Sequence, residues 1–454
     1  MTPAVMTSRD TRKSFFLEDM GCQMNRVDSE LVAGRMQGAG YVRVESPHEA
    51  DVVLYYTCSV REHAEDKVFG RLGRLKRLKE ERPGARIGIM GCMAQSQKDR
   101  IFKRAPHVDL VVGTSRFEDV AELVEEASEG RRILAVEDGV ELSYDRDITA
   151  RTRKHAAFVT VMRGCNKFCS FCIVPFTQGR ERSRTADGVL DEVKRLRDDG
   201  VVEITLLGQR IDTYGLDLDD GSTLHKLLVR IHEEVPGLLR IGFVTSHPNH
   251  MTTELARTIA DYPRINRYLH LPVQSGSDRV LRRMNRGYSR EEYIRAVDRL
   301  RAHVPDLALA TDWIVGFPGE TEADFLESVS LLREIDYQGS FVFKYSPRPG
   351  TRAEDFPDDV PREEKERRNH VILEMQRRMT GARYQKLEGG VANVLVEGRS
   401  KTDDDKWTGR DRWNRIVHFP MDGDPTGTLV DVALTGSTNT YLFGTPVVRR
   451  NAPT

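Results

Sequence analysis

Long apolar runs are missing from this chain of 454 residues. No stretch approaches the 18 or more consecutive apolar residues of a membrane span. The first residues, MTPAVMTSRDTRK, hold no apolar core of the kind a secretory signal needs. These absences predict a cytoplasmic protein with no membrane partner. Net charge is nearly absent too: 69 Lys and Arg face 70 Asp and Glu, for a formal −1. Bulk electrostatics therefore do not mark the whole chain as a nucleic-acid binder. Cysteine is scarce, at six residues, and disulfides do not persist in a reducing compartment. What is plentiful, 39% hydrophobic and 31% charged residues, describes a globular chain long enough for two or three domains with their own cores.

The few cysteines split into two trios with none left over, which reads as metal ligation rather than bridging. Cys165, Cys169 and Cys172 stand at C-x3-C-x2-C spacing on one loop. The loop follows an apolar run at 158–162 and Gly164, which lets the backbone turn tightly. Four sulfurs would close a tetrahedral zinc site or fully ligate an iron–sulfur cluster. Three hold a cubane-type cluster by three of its irons and leave the fourth open to a reactant. A zinc knuckle completed by a distant ligand such as His155 is the competing reading. Cys22, Cys58 and Cys92 lie 36 and 34 residues apart, one βα unit each.

Periodicity divides the chain. Residues 1–13 are polar and aperiodic, the pattern of a disordered leader. Over 14–139, strand patterns at 15–18, 52–56, 87–90 and 110–112 alternate with helical ones at 28–37, 60–79 and 117–127. That alternation predicts an open parallel α/β sheet. Each of Cys22, Cys58 and Cys92 falls just past the carboxyl end of a predicted strand, the edge where such sheets gather ligands. A polar stretch, 140–155, reads as a linker. Over 156–382, strand patterns at 158–162, 204–207, 241–244, 268–271, 310–315 and 341–345 alternate with helices at 186–197, 224–234, 253–260, 290–303 and 322–335. They predict an incomplete (β/α)6 barrel with its chemistry at the carboxyl ends of the strands. After a charged helix from 362 to about 387, short strands at 391–397, 415–419, 429–434 and 441–443 predict a small β-barrel within 383–450.

Local charge says more than the total. Between Arg151 and Arg184, eight Lys or Arg accompany one acid, Glu181. Positive charge around the cysteine loop suits a phosphate-bearing substrate. The run 67–82 carries seven basic residues against Glu80 and Glu81, the pattern of a solvated helix face.

With Phe171 before its last cysteine, the Cys165 loop resembles the signature of radical S-adenosylmethionine enzymes. Met20-Gly-Cys-Gln-Met-Asn25, Tyr56-Thr-Cys-Ser-Val-Arg-Glu62 and Met90-Gly-Cys-Met-Ala-Gln95 resemble the three cluster-binding stretches of the methylthiotransferases, a branch of those enzymes. GCNKFCSFCIVPFTQGRERSR at 164–184 is similar to the tRNA-modifying members, as are LHLPVQSG at 269–276, TDWIVGFPGE at 311–320 and KYSPRPG at 344–350. GRDRWNRIV at 409–417 resembles the RNA-binding TRAM domain that closes them. The resemblance runs in order from about Phe15 to Val448. Tyr56 departs from a usual Asn, Met20 from an aromatic residue and Gln178 from Arg. Arg210, in GQRID, departs from GQNVN. None of the four is expected to touch a cysteine.

The resemblance implies that each trio holds a [4Fe–4S] cluster. Cys165, Cys169 and Cys172 would hold the one whose open iron chelates S-adenosylmethionine, which is cleaved by one electron to a 5′-deoxyadenosyl radical. Cys22, Cys58 and Cys92 would hold an auxiliary cluster carrying the sulfur, and a second S-adenosylmethionine would supply the methyl group. The implied product is a methylthio group at C2 of N6-dimethylallyladenosine beside the tRNA anticodon, on a nucleotide presented out of its stack. The implied partners are the anticodon loop, an electron donor such as flavodoxin or ferredoxin, and a sulfur donor, with the enzyme a monomer. Phe171, Gln209, Ser246, Gln274, Asp312 and Glu320 are the implied cofactor contacts, with Asp312 buried at a strand end. No catalytic side chain beyond the ligands is implied, and His247, His270 and His418 are expected to be structural. Two other activities share both trios and stay open: methylthiolation of a ribosomal-protein aspartate, and of a threonylcarbamoyl-adenosine in tRNA.

Overall fold

The computed structural model describes residues 12–58, 62–128, 130–137 and 151–447. Most of the expected leader and linker lies outside the described residues. The chain divides into two units, one of Met1–Thr152 with Phe176–Gly179, the other of Arg153–Pro175 with Arg180–Thr454. Among the described residues no helix is long and apolar enough to cross a membrane.

In the first unit, short apolar runs become six strands: β1 (Ser14–Met20), β2 (Val42–Arg43), β3 (Val52–Thr57), β4 (Arg86–Gly91), β5 (Leu110–Val112) and β6 (Ile133–Ala135). They form one parallel sheet in the order β2-β1-β3-β4-β5-β6. β3 is buried along its whole length, as a parallel strand covered on both faces must be. β2, at two residues, is too short to leave a strand pattern in the sequence, and β6, where only Ala135 is fully buried, went unpredicted. The helix Glu62–Glu81 packs Val68, Leu72, Leu75 and Leu78 into a core with Val53, Tyr55, Ile87 and Ile89. Cations of the basic run pair with acids of the same unit: Arg71 with Glu18 at 3.1 Å, Lys79 with Asp109 at 2.7 Å and Arg82 with Asp51 at 2.6 Å. That pairing fits the solvated-face reading.

The second unit begins with β7 (Ala156–Thr160), the short ribbon β8 (Met162–Arg163) and β9 (Arg182–Ser183), then β10 (Glu203–Leu207), β11 (Arg240–Phe243), β12 (Tyr268–His270), β13 (Ala308–Val315) and β14 (Gly339–Lys344). Parallel pairing links β7-β10-β11 and β12-β13-β14. The two triplets meet through a bridge between Ile241 and Ile265 and through Ser246 N–H donating to the His270 carbonyl at 3.2 Å. The result is the expected incomplete (β/α)6 barrel. Helices Leu224–Glu234, Arg290–His303 and Glu322–Ile335 fall on the predicted residues. The last two start with capping boxes, Ser289 with Glu292 and Thr321 with Asp324, which end fraying by satisfying orphan N–H groups on both sides. A short helix, Asp278–Arg283, went unpredicted.

The long helix Arg362–Gln385 lies on the outer face of β14: Ser340 donates to Gln376 at 2.7 Å and Asn369 to the Val342 carbonyl at 2.9 Å. It leads into five strands, β15 (Val391–Arg399), β16 (Trp407–Arg410), β17 (Ile416–Phe419), β18 (Leu429–Ser437) and β19 (Leu442–Pro446), closed as β15-β16-β17-β19-β18. β16 carried no alternating apolar pattern. Its Gly409 permits closure: a Cβ there would stand 2.2 Å from the Leu395 carbonyl oxygen, which is backbone and has nowhere to go. Gly409→Ala should therefore destabilise the barrel by ~1–3 kcal/mol, the usual cost of overpacking. A lowered urea midpoint checks this, and an unchanged one counts against the close approach.

Two cysteine trios as the candidate functional site

Three neighbouring strands deliver the first trio. Cys22 follows β1 and caps the helix Gln23–Gly38, Cys58 directly follows β3, and Cys92 follows β4 as the first residue of the helix Cys92–Gln97. The periodicity placed the first of these helices five residues late and missed the second, so two of the three thiols sit at helix starts that the sequence pattern hid. Asn25 ties the ends together: its Oδ1 accepts from Cys22 Sγ at 2.8 Å, and its Nδ2 donates to the Thr57 carbonyl at 3.1 Å. Thr57 Oγ1 then donates to the Met90 carbonyl at 2.7 Å, linking β3 to β4. Gly91 holds φ at 91°, with Thr57 O only 2.6 Å from where a Cβ would be, so no side chain fits between the strand ends.

The environments of these thiols differ. Cys22 is exposed, and a hydrogen bond with Cys58 lowers its pKa to about 7. Cys92 is buried, and desolvation pushes it up to about 11, with the Cys22 charge adding to the rise. Two departures from the family pattern find work here. Tyr56, fully buried, donates to Asp28 at 2.8 Å. Gln178 donates its amide to Cys92 Sγ at 3.2 Å, so this departure reaches a cysteine after all.

The second trio rides on the loop between β8 and β9, whose two-residue pairing clamps the loop's base. Gly164 takes φ 77° to enter it. Within the loop, Cys169 N–H bonds the Lys167 carbonyl at 2.9 Å and Cys172 N–H the Cys169 carbonyl at 3.0 Å, winding three sulfurs around one tight turn. A segment the sequence reading passed over, Arg283–Tyr288, bolts this turn down. Ser170 bonds the Met284 and Arg283 carbonyls, both at 2.9 Å, and Asn285 donates to the Phe168 carbonyl at 2.8 Å. Arg286, buried, donates to Cys169 Sγ at 3.4 Å, the Pro272 carbonyl at 3.0 Å and Tyr288 at 3.1 Å. The Asn285-Arg286-Gly287 turn chemistry after a basic helix was the available signal. Burial raises Cys165 to about 11 and Cys172 to about 12.

His155 immediately precedes β7, whereas the cysteine loop leaves beyond the opposite end of that strand. It is no fourth ligand, and the zinc-knuckle reading loses its candidate. Among the described residues no His, Cys, Asp and Glu side chains are drawn together as the ligands of one ion are. A zinc ion holds all its sulfurs about 2.3 Å from one centre, while a cubane takes each cysteine on a separate iron.

The implied cofactor contacts fare unequally. Ser246 follows β11, is 4% exposed, and its Oγ has no hydrogen-bond partner among the described residues. Gln274 follows β12, is buried and holds φ at 73°, while Thr245 holds 72°. For non-glycine residues such angles cost on the order of 1–3 kcal/mol and cluster at functional sites. Gln209 is half-buried beyond β10, and the neighbouring Arg210 pairs with Glu181 at 3.1 Å and Asp212 at 3.5 Å. Phe171 meets Phe317 edge-on at 6.4 Å in an apolar cluster with Tyr345. Glu320 is buried, and its carboxylate is taken up by Gly316 N–H at 2.5 Å and Arg368 at 2.8 Å. Asp312 corrects the expectation of a buried strand end: it lies inside β13, its side chain 22% exposed, and bonds His270 at 3.0 Å. His247 is buried edge-on to Tyr288 at 5.2 Å, and desolvation lowers its pKa to about 2, which keeps it neutral. His418 stacks edge-on with Tyr441 at 4.8 Å.

Exposure and acidity together rank the cluster-free thiols. Since the thiolate is the nucleophile, iodoacetamide at pH 7 should alkylate Cys22 first and the buried Cys92 and Cys165 last. Peptide mass spectrometry over time reads the order, and equal rates would contradict these environments.

Three family models match the chain in order: Uncharacterized protein family UPF0004 over residues 14–113, the Radical SAM superfamily over 159–332 and the TRAM domain over 385–447. The tRNA-2-methylthio-N(6)-dimethylallyladenosine synthase of Moorella thermoacetica is 44% identical over 436 residues, covering 95% of this chain and 98% of that protein. The synthase of the same name from Syntrophotalea carbinolica is 42% identical, covering 93% of this chain and 97% of its own. In structure, the chain is similar to the radical S-adenosylmethionine methyltransferase TsrM of Kitasatospora setae, determined with cobalamin and a [4Fe–4S] cluster bound: TM-score 0.55, 14% identity, 76% of this chain and 77% of that one. The cobalamin-dependent S-adenosylmethionine radical enzyme OxsB follows at TM-score 0.52 and 14% identity, over 79% of this chain and 56% of that one. Those two likenesses are of fold. Matched by these three models in order and 44% identical to a synthase over nearly its whole length, the chain belongs to the radical S-adenosylmethionine methylthiotransferase family.

Proposed function

We propose that this chain is a tRNA methylthiotransferase that places a methylthio group at C2 of N6-dimethylallyladenosine beside the anticodon. The observation that carries the reading is the pair of cysteine trios, one at the carboxyl ends of three parallel strands and one on the loop between β8 and β9, in a chain that spans nearly the whole of synthases so named. In this reading Cys22, Cys58 and Cys92 hold an auxiliary [4Fe–4S] cluster, and Cys165, Cys169 and Cys172 hold the one that binds S-adenosylmethionine. When bound, these groups supply one-electron cleavage of a sulfonium, hydrogen abstraction from an aromatic carbon, and the sulfur itself.

The chain's own residues hold, orient and shield. Arg286 sets positive charge on Cys169, offsetting the charge of ligated thiolates, and Gln178 donates to Cys92; such hydrogen bonds to ligand sulfurs tune a cluster. The unpartnered hydroxyl of Ser246 and the strained Gln274, with Gln209, line the cofactor's side of the barrel. Phe171 and Glu320 support that side from within its packing. The barrel wall keeps water from the reacting atoms. Residues 14–139, 156–382 and 383–450 form the three domains, after a leader over 1–13 and around a linker over 140–155. The enzyme works in the cytoplasm as a monomer, with a flavodoxin or ferredoxin as electron donor and a separate sulfur donor.

Nucleoside mass spectrometry of bulk tRNA tests the function. Cells lacking this gene should lose 2-methylthio-N6-dimethylallyladenosine and accumulate the unthiolated nucleoside; unchanged content would overturn the reading. Cluster loading has a predicted pH dependence. Burial raises Cys92, Cys165 and Cys172, so at neutral pH their thiols carry protons that iron must displace. Anaerobic loading should therefore tighten as pH rises from 7 towards 9 and release protons, and a flat profile would contradict ligation by these thiols.

A further inference from the structure

Phe341 is 51% exposed although it lies in the middle of β14. It pairs in register with Asp312 of β13, and parallel partners project to the same face of a sheet. That face is the barrel's inner one. The alternate residue, Trp313, is fully buried outwards and donates through its indole to Ser340, which bonds Gln376 of the outer helix. His270 of β12 joins the inner face: it bonds Asp312 at 3.0 Å and meets the Phe341 ring edge-on, centroids 5.9 Å apart. Three adjacent strands thus present one patch, a bare aromatic face flanked by a His–Asp pair. Two residues further along β13, Ile314 packs in the cluster that holds Phe171, the neighbour of Cys172. Two residues of strand span roughly 7 Å, so the patch lies one side-chain layer below the cysteine loop.

Single exposed hydrophobics on an outer surface are ordinary. A half-bare phenyl ring facing the interior of a barrel, one layer from the reactive centre, is instead a surface waiting for a flat partner. We propose that Phe341 is the platform on which the target purine stacks, with His270 and Asp312 at the base's polar edge. This rests on the tRNA reading above and deepens it. The chemistry also selects among substrates. An aspartate side chain, or an adenine bearing a threonylcarbamoyl carboxylate, would bring negative charge against the Asp312 carboxylate. An adenine with an uncharged apolar N6 substituent brings no charge against that carboxylate.

The test uses the full-length enzyme with both clusters reconstituted and an anticodon stem-loop RNA carrying N6-dimethylallyladenosine. It measures methylthiolated product, and 5′-deoxyadenosine released with and without RNA. Phe341→Ala should leave RNA-independent 5′-deoxyadenosine release unchanged, because the ring is bare and touches no cluster ligand. Product formed per 5′-deoxyadenosine should fall roughly tenfold or more, the scale of a lost base–aromatic stack. Phe341→Tyr, which keeps the ring face, should restore coupling. If Phe341→Ala also loses the RNA-independent release, Phe341→Leu, close in bulk but without a ring face, decides by the same ratio. Wild-type coupling in either ringless variant, or no rescue by Tyr, overturns the proposal. A wild-type enzyme that releases 5′-deoxyadenosine but never thiolates this RNA removes the tRNA reading and the proposal with it.

Discussion

Parallel pairing in register is the constraint on which the candidate site depends. Met20 stands opposite Thr57, and Thr57 opposite Gly91, at the ends of β1, β3 and β4. The chain leaves all three strands at one level, and the next one or two residues are Cys22, Cys58 and Cys92. A slip of one residue would turn each buried run to the wrong face, and with it scatter the thiols. The same logic governs the barrel, where Thr160 pairs with Leu207 and Leu206 with Phe243, so the loops after β7, β10 and β11 open on one rim.

What that register assembles is expensive to keep. Thiols are buried and held protonated in the free chain, Arg286 is buried with no carboxylate among its bonds, and Thr245 and Gln274 sit in left-handed backbone. Each would be a defect in a protein built for stability alone, because desolvated polar groups and strained angles cost free energy. They sit at the carboxyl ends of the strands. At the opposite rim, hydrogen bonds join the barrel to the small C-terminal one: Arg240 donates to the Asn393 carbonyl at 3.0 Å, and Arg267 N–H to that of Arg412 at 2.8 Å.

Much of this organisation was readable before folding. Strands such as β5 and helices such as Leu224–Glu234 and Glu322–Ile335 announce themselves because burial on one face imposes a period on their own residues. Short elements without a clear period of their own stayed invisible: β2, β6, and the helix Cys92–Gln97. The helix Gln23–Gly38 began early because its first turn is polar and packs Asn25 against a neighbouring strand end, a contact no local pattern records. Asp312 was misjudged for a similar reason. Its place inside β13, facing His270, follows from sheet register rather than from the residues around it.

The amino-acid sequence by itself determined the two trios, their position after strands, and the three-part order of open sheet, incomplete barrel and small closed barrel, since spacing and periodicity are properties of a line. Only the tertiary structure decided that Arg286 reaches Cys169, that Gln178 reaches Cys92, that His155 stands at the wrong end of its strand, and that Phe341 faces inward beside His270. The meetings among these join residues from 71 to 117 positions apart, and distance in the chain carries no information about them until backbone hydrogen bonding sets one strand against another.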